Sequence, residues 1–180
     1  NGARPRVGLV FQNADLQLFN GTVREEILYG TVHPDMHLYD WLLTALGLGD
    51  YEDRPPLLLS EGEKKRVALA AVLMHRPEQG ILLDEPAVGQ DSAYKAMLVR
   101  VARALAAAGQ LVVIATHDLQ LALQADRMIV LAAEGIVGDG APARMIQDAS
   151  MWQRAGLRVP PWLLAPQAQV AGAALPDTTG

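Results

Sequence analysis

Two adjacent carboxylates end a short apolar run in the sequence ILLDEP, residues 81–86. Functional groups collect at the carboxyl ends of parallel strands, and proteins hold Mg²⁺ beside nucleotide phosphates with one or two carboxylates. Asp84 is therefore a candidate Mg²⁺ ligand, acting largely through water, and Glu85 is a candidate general base for an attacking water. Two adjacent acidic residues at the end of a strand more often only face solvent. The other motifs in the sequence must therefore decide between a metal site and a solvated strand end.

A second motif, LSEGE at residues 59–63, places Ser60 and Gly62 where a helix is predicted to begin. Free N–H groups and the helix dipole make such a start an anion site, and Gly62 allows a phosphate to approach the backbone. The plainer alternative is that Ser60 only caps the helix. The positively charged side chains of residues 64–66 lie near the positive end of the predicted helix dipole, which is unfavourable. A bound anion or acidic neighbours would reduce this repulsion.

Two further polar residues follow predicted strands. His117 ends the run IATHD, residues 114–118, and is within reach of a terminal phosphate if the strands are parallel. Gln12 follows the strand that ends at Phe11, and its amide is able to ligate a metal or a water. Taken alone, each is more often structural or solvated.

The hydrophobic pattern predicts the elements that must position these residues. Strands alternate with helices, which predicts an α/β fold with a mainly parallel sheet. The run 111–115 is typical of a strand buried on both faces, and 22–76 reads as an inserted helical subdomain. The predicted strands are 6–11, 81–83, 111–115, 128–131 and 136–137, and the predicted helices are 22–30, 35–46, 61–75, 94–108, 118–125 and 141–155.

Composition narrows the classes of function. The 180 residues carry a formal net charge of −5, which disfavours a nucleic-acid partner. The sequence has no cysteine, so disulfides, thiol catalysis and cysteine metal sites are excluded. No apolar run reaches the roughly 20 residues that span a bilayer.

In combination, the motifs resemble the nucleotide-binding domains of ABC ATPases. VFQ resembles the Q-loop, LSEGE the signature motif, ILLDEP the Walker B strand, VGQD the D-loop and ATHD the switch-histidine loop. The resemblance covers roughly residues 7–147. VGLVFQNADLQLFNGTVREEILYG, LGLGDYEDRPPLLLSEGEKKRVALA and AGLRVPPWL are most similar to the ATPase subunits of energy-coupling-factor importers, which carry vitamins or transition-metal ions such as cobalt and nickel.

The resemblance implies a P-loop NTPase-like fold, with ATP and Mg²⁺ as ligands. It implies that Glu85 is the general base, that His117 contacts the γ-phosphate and that Asp84 organises Mg²⁺. Gln12 would touch the metal or water and relay to a transmembrane partner, and Asp91 would link two sites across a dimer. The signature residues would bind the γ-phosphate of ATP held by the opposite subunit: Leu59, Ser60, Glu61, Gly62 and Glu63.

The resemblance also implies partners and a location. The expected partners are a second ATPase subunit, in a homodimer or heterodimer, and a transmembrane transporter protein, with no nucleic acid. The helical segment after Gln12 would form the groove that receives a coupling helix of the membrane protein. The chain would lie peripherally on the cytoplasmic face of the cell membrane.

The sequence departs from the family pattern in one large respect, because no Gly-Lys pair occurs and the phosphate-cradling loop G-x-x-x-x-G-K-[ST] is absent. We therefore expect a partial ATPase domain over 1–158, lacking its N-terminal strands, and a flexible tail over 159–180. Alone, it is expected to be inactive and to expose an apolar sheet face. In the signature, Glu61 and Glu63 replace the usual Gly and Gln.

Two other functions stay open at this stage. One is a soluble, non-transport ABC ATPase that acts in translation or DNA repair, although neither long heptads nor a charged linker between two ATPase halves is visible. The other is a non-catalytic remnant that only docks onto a partner.

Overall fold

A three-stranded parallel sheet organises the first of two compact units. The computed structural model describes residues 6–157, and the units divide between Ala122 and Leu123. The sheet order follows the chain, and Asp84 is in register with Ala115 at the carboxyl end. The strands are β1 (Val7–Val10), β2 (Gly80–Asp84) and β3 (Leu111–Ala115). The predicted α/β class with a parallel sheet is confirmed.

The regular elements between β1 and β2 are all helices, and an inserted helical subdomain over 22–76 stays a prediction. Thr22, Asp35 and Ser60 cap the three helices with their side chains, and Gly47 ends the second in the left-handed conformation. These helices are α1 (Val23–Leu28), α2 (Met36–Leu46) and α3 (Glu61–Met74). The remaining helices of this unit are α4 (Ser92–Ala107) and α5 (Leu119–Ala122).

Helix α3 is the centre of the hydrophobic core. Its residues Val67, Ala68, Leu69 and Ala70 are all nearly inaccessible to solvent, so burial covers every face of this stretch. The helix contacts α1, α2 and β1. A helix that is apolar all round is stable only when it is surrounded, and this arrangement fixes the position of the motif at its beginning.

One face of the sheet is uncovered. Five apolar side chains on it are between 39% and 64% exposed: Val7, Leu9, Leu82, Leu111 and Val113. Ile81 and Leu83, which alternate with Leu82 on β2, are buried instead. The prediction that 111–115 is buried on both faces is therefore wrong, since α4 packs on β3 from one side only. The exposed apolar face expected from the sequence is present.

The second unit contains an antiparallel hairpin of β4 (Met128–Ala132) and β5 (Gly135–Gly140). Two short helices follow it, α6 (Pro142–Met145) and α7 (Ala149–Arg154). A single helix over 141–155 was the wrong prediction, because Asp148 accepts a hydrogen bond from the Met151 N–H and caps a new helix.

Some sequence predictions fall beyond the described residues. The tail over 159–180 and the last six residues of AGLRVPPWL lie outside them, and the domain boundary at residue 158 stays a prediction. No helix within residues 6–157 combines the length and apolar character needed to cross a membrane.

Candidate functional site

Glu85 and His117 meet at the carboxyl ends of β2 and β3. The Glu85 Oε1 atom lies 2.8 Å from Nδ1 of the His117 ring and accepts the His117 main-chain N–H at 3.0 Å. The carboxylate is mostly buried and the ring is largely exposed. A carboxylate at Nδ1 favours the tautomer with a proton on that atom, which leaves Nε2 as the ring atom available to a ligand.

The backbone of Glu85 is held in an uncommon conformation. Its φ is +43°, a left-handed value that costs a non-glycine residue on the order of 1–3 kcal/mol. The Glu85 N–H donates to the Ala115 carbonyl at 2.9 Å, and Thr116 Oγ1 donates to Glu85 Oε2 at 3.3 Å. The end of β3 therefore holds the Glu85 N–H, and Thr116, just beyond that strand, holds the carboxylate. Sequence reasoning missed Thr116, whose position beside His117 was the available signal.

Asp84 is an exposed carboxylate at the end of β2, next to Glu85. No group of three or more His, Cys, Asp or Glu within residues 6–157 is arranged to hold a metal ion. One or two carboxylates with waters and phosphates suffice for Mg²⁺, which seldom occupies an all-protein cage. A single carboxylate such as Asp84 is thus compatible with Mg²⁺ that is also held by waters and phosphates.

A complete capping box closes the beginning of α3. Glu63 Oε2 accepts from the Ser60 N–H at 2.8 Å and from Ser60 Oγ at 2.7 Å, while Ser60 Oγ accepts the Glu63 N–H at 3.4 Å. Hydrogen bonds from Tyr51 and from Ser60 lower the pKa of Glu63 to about 2. The carboxylate at this unusual signature position is thus turned back onto Ser60.

The other cations and acids of this motif are also partnered. Lys64 Nζ lies 2.9 Å from Asp15 and 3.1 Å from Glu61, and these carboxylates raise the pKa of Lys64. Arg66 donates to main-chain carbonyls at the end of α2, and Lys65 to carbonyls beyond β2. Acidic neighbours and carbonyl groups therefore relieve the unfavourable position of these cations on the helix dipole.

Three site residues predicted from the sequence form no side-chain hydrogen bond with the Glu85–His117 pair in the described residues. Gln12 and Asp84 are exposed, and Asp91 caps α4 by accepting the Tyr94 N–H at 2.8 Å. Leu59 is buried in the core. The structure thus joins Glu85 and His117 by hydrogen bonds, whereas Asp84 adjoins Glu85 only along the chain and Gln12 and Asp91 form no hydrogen bond with the pair in the described residues.

Two more residues missed by sequence reasoning organise these loops. Gln17 accepts the Phe11 N–H at 2.8 Å and donates to the Leu9 carbonyl at 3.0 Å, so its amide occupies the place of a neighbouring strand beside β1. Gln90 packs against Gly62, where an added Cβ would lie 2.5 Å from Gln90 Oε1. A glutamine after a predicted strand was the only available signal for the first.

The sequence matches a known family and its members. The ABC transporter family model matches residues 2–88. Over 164 residues, the chain is 38% identical to the energy-coupling factor transporter ATP-binding protein EcfA of Methanothermobacter thermautotrophicus. It is 39% identical, also over 164 residues, to the cobalt import ATP-binding protein CbiO of Rhodobacter capsulatus. Each alignment covers 87% of this chain, but only 52% and 58% of those relatives. The chain therefore spans little more than half the length of these curated relatives.

Solved structures show the same similarity. The cbiO1 structure from Clostridium perfringens, described as part of the ABC transporter complex cbiONQ, superposes with a TM-score of 0.69 at 30% identity. That superposition covers 88% of this chain and 66% of cbiO1. A bacterial Atm1-family ABC exporter with ATP bound superposes with a TM-score of 0.70 at 25% identity, over 85% of this chain and 29% of the exporter.

Proposed function

We propose that this chain, which belongs to the family of ABC transporter ATP-binding proteins, is part of the ATP-hydrolysing subunit of an energy-coupling-factor-type importer. The cargo class that fits the similarity is a metal ion or a vitamin. One observation carries the proposal: the Glu85 carboxylate, just after the Walker B strand, contacts His117, just after the adjacent parallel strand. This contact joins two side chains 32 residues apart in the sequence.

In the proposed reaction, Glu85 is the general base and His117 its neighbour on the γ-phosphate side. With Oε1 engaged by His117 Nδ1 and N–H, the carboxylate is fixed in one orientation before substrate arrives, so little reorganisation is needed. Asp84 would hold Mg²⁺, largely through water, and the metal would neutralise phosphate charge. Gln12 would reach the metal or the water from the end of β1.

The beginning of α3 supports a second phosphate contact. Helix α3 has 14 residues, and its first N–H groups form a positive end beside Ser60 and Gly62. Both acids that replace neutral signature residues have partners, because Glu63 folds onto Ser60 and Glu61 lies beside Lys64. Lys64 partly compensates the charge of Glu61, whereas the ionised Glu63 stays beside Ser60, so ATP binding across a dimer, with Asp91 as the link between sites, would require the Ser60–Glu63 hydrogen bond to open.

Exposed apolar side chains on the helical segment support a membrane-protein partner. Leu16, Phe19, Tyr29 and Val32 are each more than half exposed, and the Phe19 and Tyr29 rings make an edge-to-face contact at 4.8 Å. An apolar surface of this kind suits a coupling helix of a transmembrane protein. The chain would then work at the cytoplasmic face of the membrane.

Co-purification tests this proposal against its alternatives. With the membrane subunits of such an importer, the wild-type chain is expected to be retained, and Phe19→Ser should reduce retention more than the same change at Leu111, which lies on the sheet. Co-sedimentation with ribosomes and no retention by the membrane subunits would favour a soluble ABC ATPase instead. The alternative of a docking module without turnover predicts retention that does not depend on nucleotide.

A further inference from the structure

Lys65 is a buried lysine whose partners are main-chain carbonyls. Its side chain leaves α3 and places Nζ 3.3 Å from the Glu85 carbonyl oxygen and 3.1 Å from that of Val88. The residue is only 6% exposed. Burial lowers the pKa of Lys65, although the charges of Glu61 and Glu85 act in the opposite direction. A buried cation is stable only if its hydrogen bonds offset the free-energy cost of removing it from water.

The adjacent lysine shows that this arrangement is specific. Lys64 is buried to a similar degree, yet its Nζ contacts the carboxylates of Asp15 and Glu61. Lys64 is therefore a buried ion-pair residue. Lys65 instead points across to the turn that follows β2, which lies 20 residues further along the sequence.

Only a long main-chain hydrogen bond closes the turn over residues 85–88 that Lys65 contacts. The Val88 N–H donates to the Glu85 carbonyl at 3.4 Å, a long hydrogen bond. Glu85 has the left-handed φ of +43°, which an unsupported non-glycine residue adopts rarely. Two hydrogen bonds from one ammonium group therefore hold the carbonyls at the two ends of residues 85–88.

We propose that Lys65 is a positioning residue that holds this turn so that the Glu85 carboxylate meets His117. The assignment of catalysis to Glu85 rests on the proposed function, but the role of Lys65 in holding the turn does not. Lys65 also ties the first turns of α3, where Ser60 would meet phosphate, to the main chain of Glu85 within one subunit. Gly62 packs against Gln90 in the same region, which adds a second contact between these segments.

Amide hydrogen exchange of the 180-residue chain tests this role without nucleotide. In Lys65→Met, the main-chain amides of Glu85, Val88 and His117 are expected to exchange at least about tenfold faster. Amides in the middle of α3 and α4 should be unchanged, because only the turn loses its support. Lys64→Met is the matched control and should leave those three amides within about twofold of wild type. Lys65→Arg, which retains donors, should restore most of the protection.

Two results would overturn the proposal. One is unchanged protection of the three amides in a folded Lys65→Met chain. The other is a uniform loss of protection in both lysine variants, which would mean that the substitutions destabilise the whole chain and not this turn. If Lys65→Met does not fold, lysine ¹⁵N labelling of the wild-type chain decides, through scalar coupling from Nζ to the carbonyl carbons of Glu85 and Val88. Coupling supports the role and its absence contradicts it, and neither outcome depends on ATP hydrolysis.

Discussion

The Glu63 carboxylate should stabilise the beginning of α3 only while it is ionised. Its pKa is lowered from the ordinary 4.5 to about 2 by hydrogen bonds from Tyr51 and Ser60. A group whose pKa is depressed in the folded state contributes stability above the unfolded pKa, and this contribution is lost as the pH falls through the folded pKa. The relevant window is therefore from pH 4.5 down to about 2.

The size of the effect follows from the shift. A depression from 4.5 to about 2 corresponds to at most about 3 kcal/mol. Because the carboxylate lies near the surface, solvent screens it, and about 1–2 kcal/mol is a reasonable expectation, in line with other helix caps. Glu63→Gln removes the charge but keeps a side chain that is compatible with a capping box.

Urea unfolding followed by circular dichroism measures this directly. At pH 7, Glu63→Gln is expected to lower the free energy of unfolding by about 1–2 kcal/mol, and at pH 3 the difference from wild type should shrink to less than half. Glu25→Gln is the matched control, because Glu25 follows Thr22 at the same spacing without forming a complete box. A wild-type advantage over Glu63→Gln that is equal at both pH values, or absent at pH 7, would refute the reasoning.

Three further predictions concern the sheet. Gly80→Ala should lower the free energy of unfolding by about 3 kcal/mol or more in the same assay, because the added Cβ would lie 1.9 Å from a main-chain oxygen of β3. Gly49→Ala is the control, since Gly49 has open space around it, and it should change the free energy of unfolding by less than about 0.5 kcal/mol. Gln17→Leu should speed amide exchange at Phe11 and lower the free energy of unfolding by about 1 kcal/mol, because two hydrogen bonds at the edge of β1 are lost. Unchanged amide exchange at Phe11 would contradict this role of Gln17. Val113→Lys should reduce self-association in sedimentation velocity, because it places a charge on the exposed apolar face, and an unchanged mass distribution would contradict it.

Local signals in the sequence predicted most element boundaries. The caps at Thr22, Asp35 and Ser60 and the glycine at 47 each act through neighbouring backbone groups, so their effect is readable from a few residues. The carboxylates and the histidine at strand ends were predicted for a different reason, because parallel strands bring their carboxyl ends together. Asp148 carried a capping signal as well, and overlooking it produced the wrong single helix.

Features that depend on distant neighbours were not readable. The apolar run 111–115 is the same whether one or both of its faces are covered, so its exposure depends on what packs there. The contact of Lys65 with the turn after β2 joins residues 20 or more positions apart, and no local pattern distinguishes it from Lys64. The left-handed φ of Glu85 is likewise imposed by its surroundings.

The ATP turnover of Glu85→Gln tests the central claim, that Glu85 paired with His117 is the base of an ATPase site. The measurement uses this chain joined to a segment that carries a G-x-x-x-x-G-K-[ST] loop, together with its Glu85→Gln variant. The predicted result is a fall in turnover of about 100-fold or more with unchanged affinity for ATP, because the general base is lost while the phosphate contacts remain. Turnover of Glu85→Gln within a few fold of the unsubstituted chain would contradict the account.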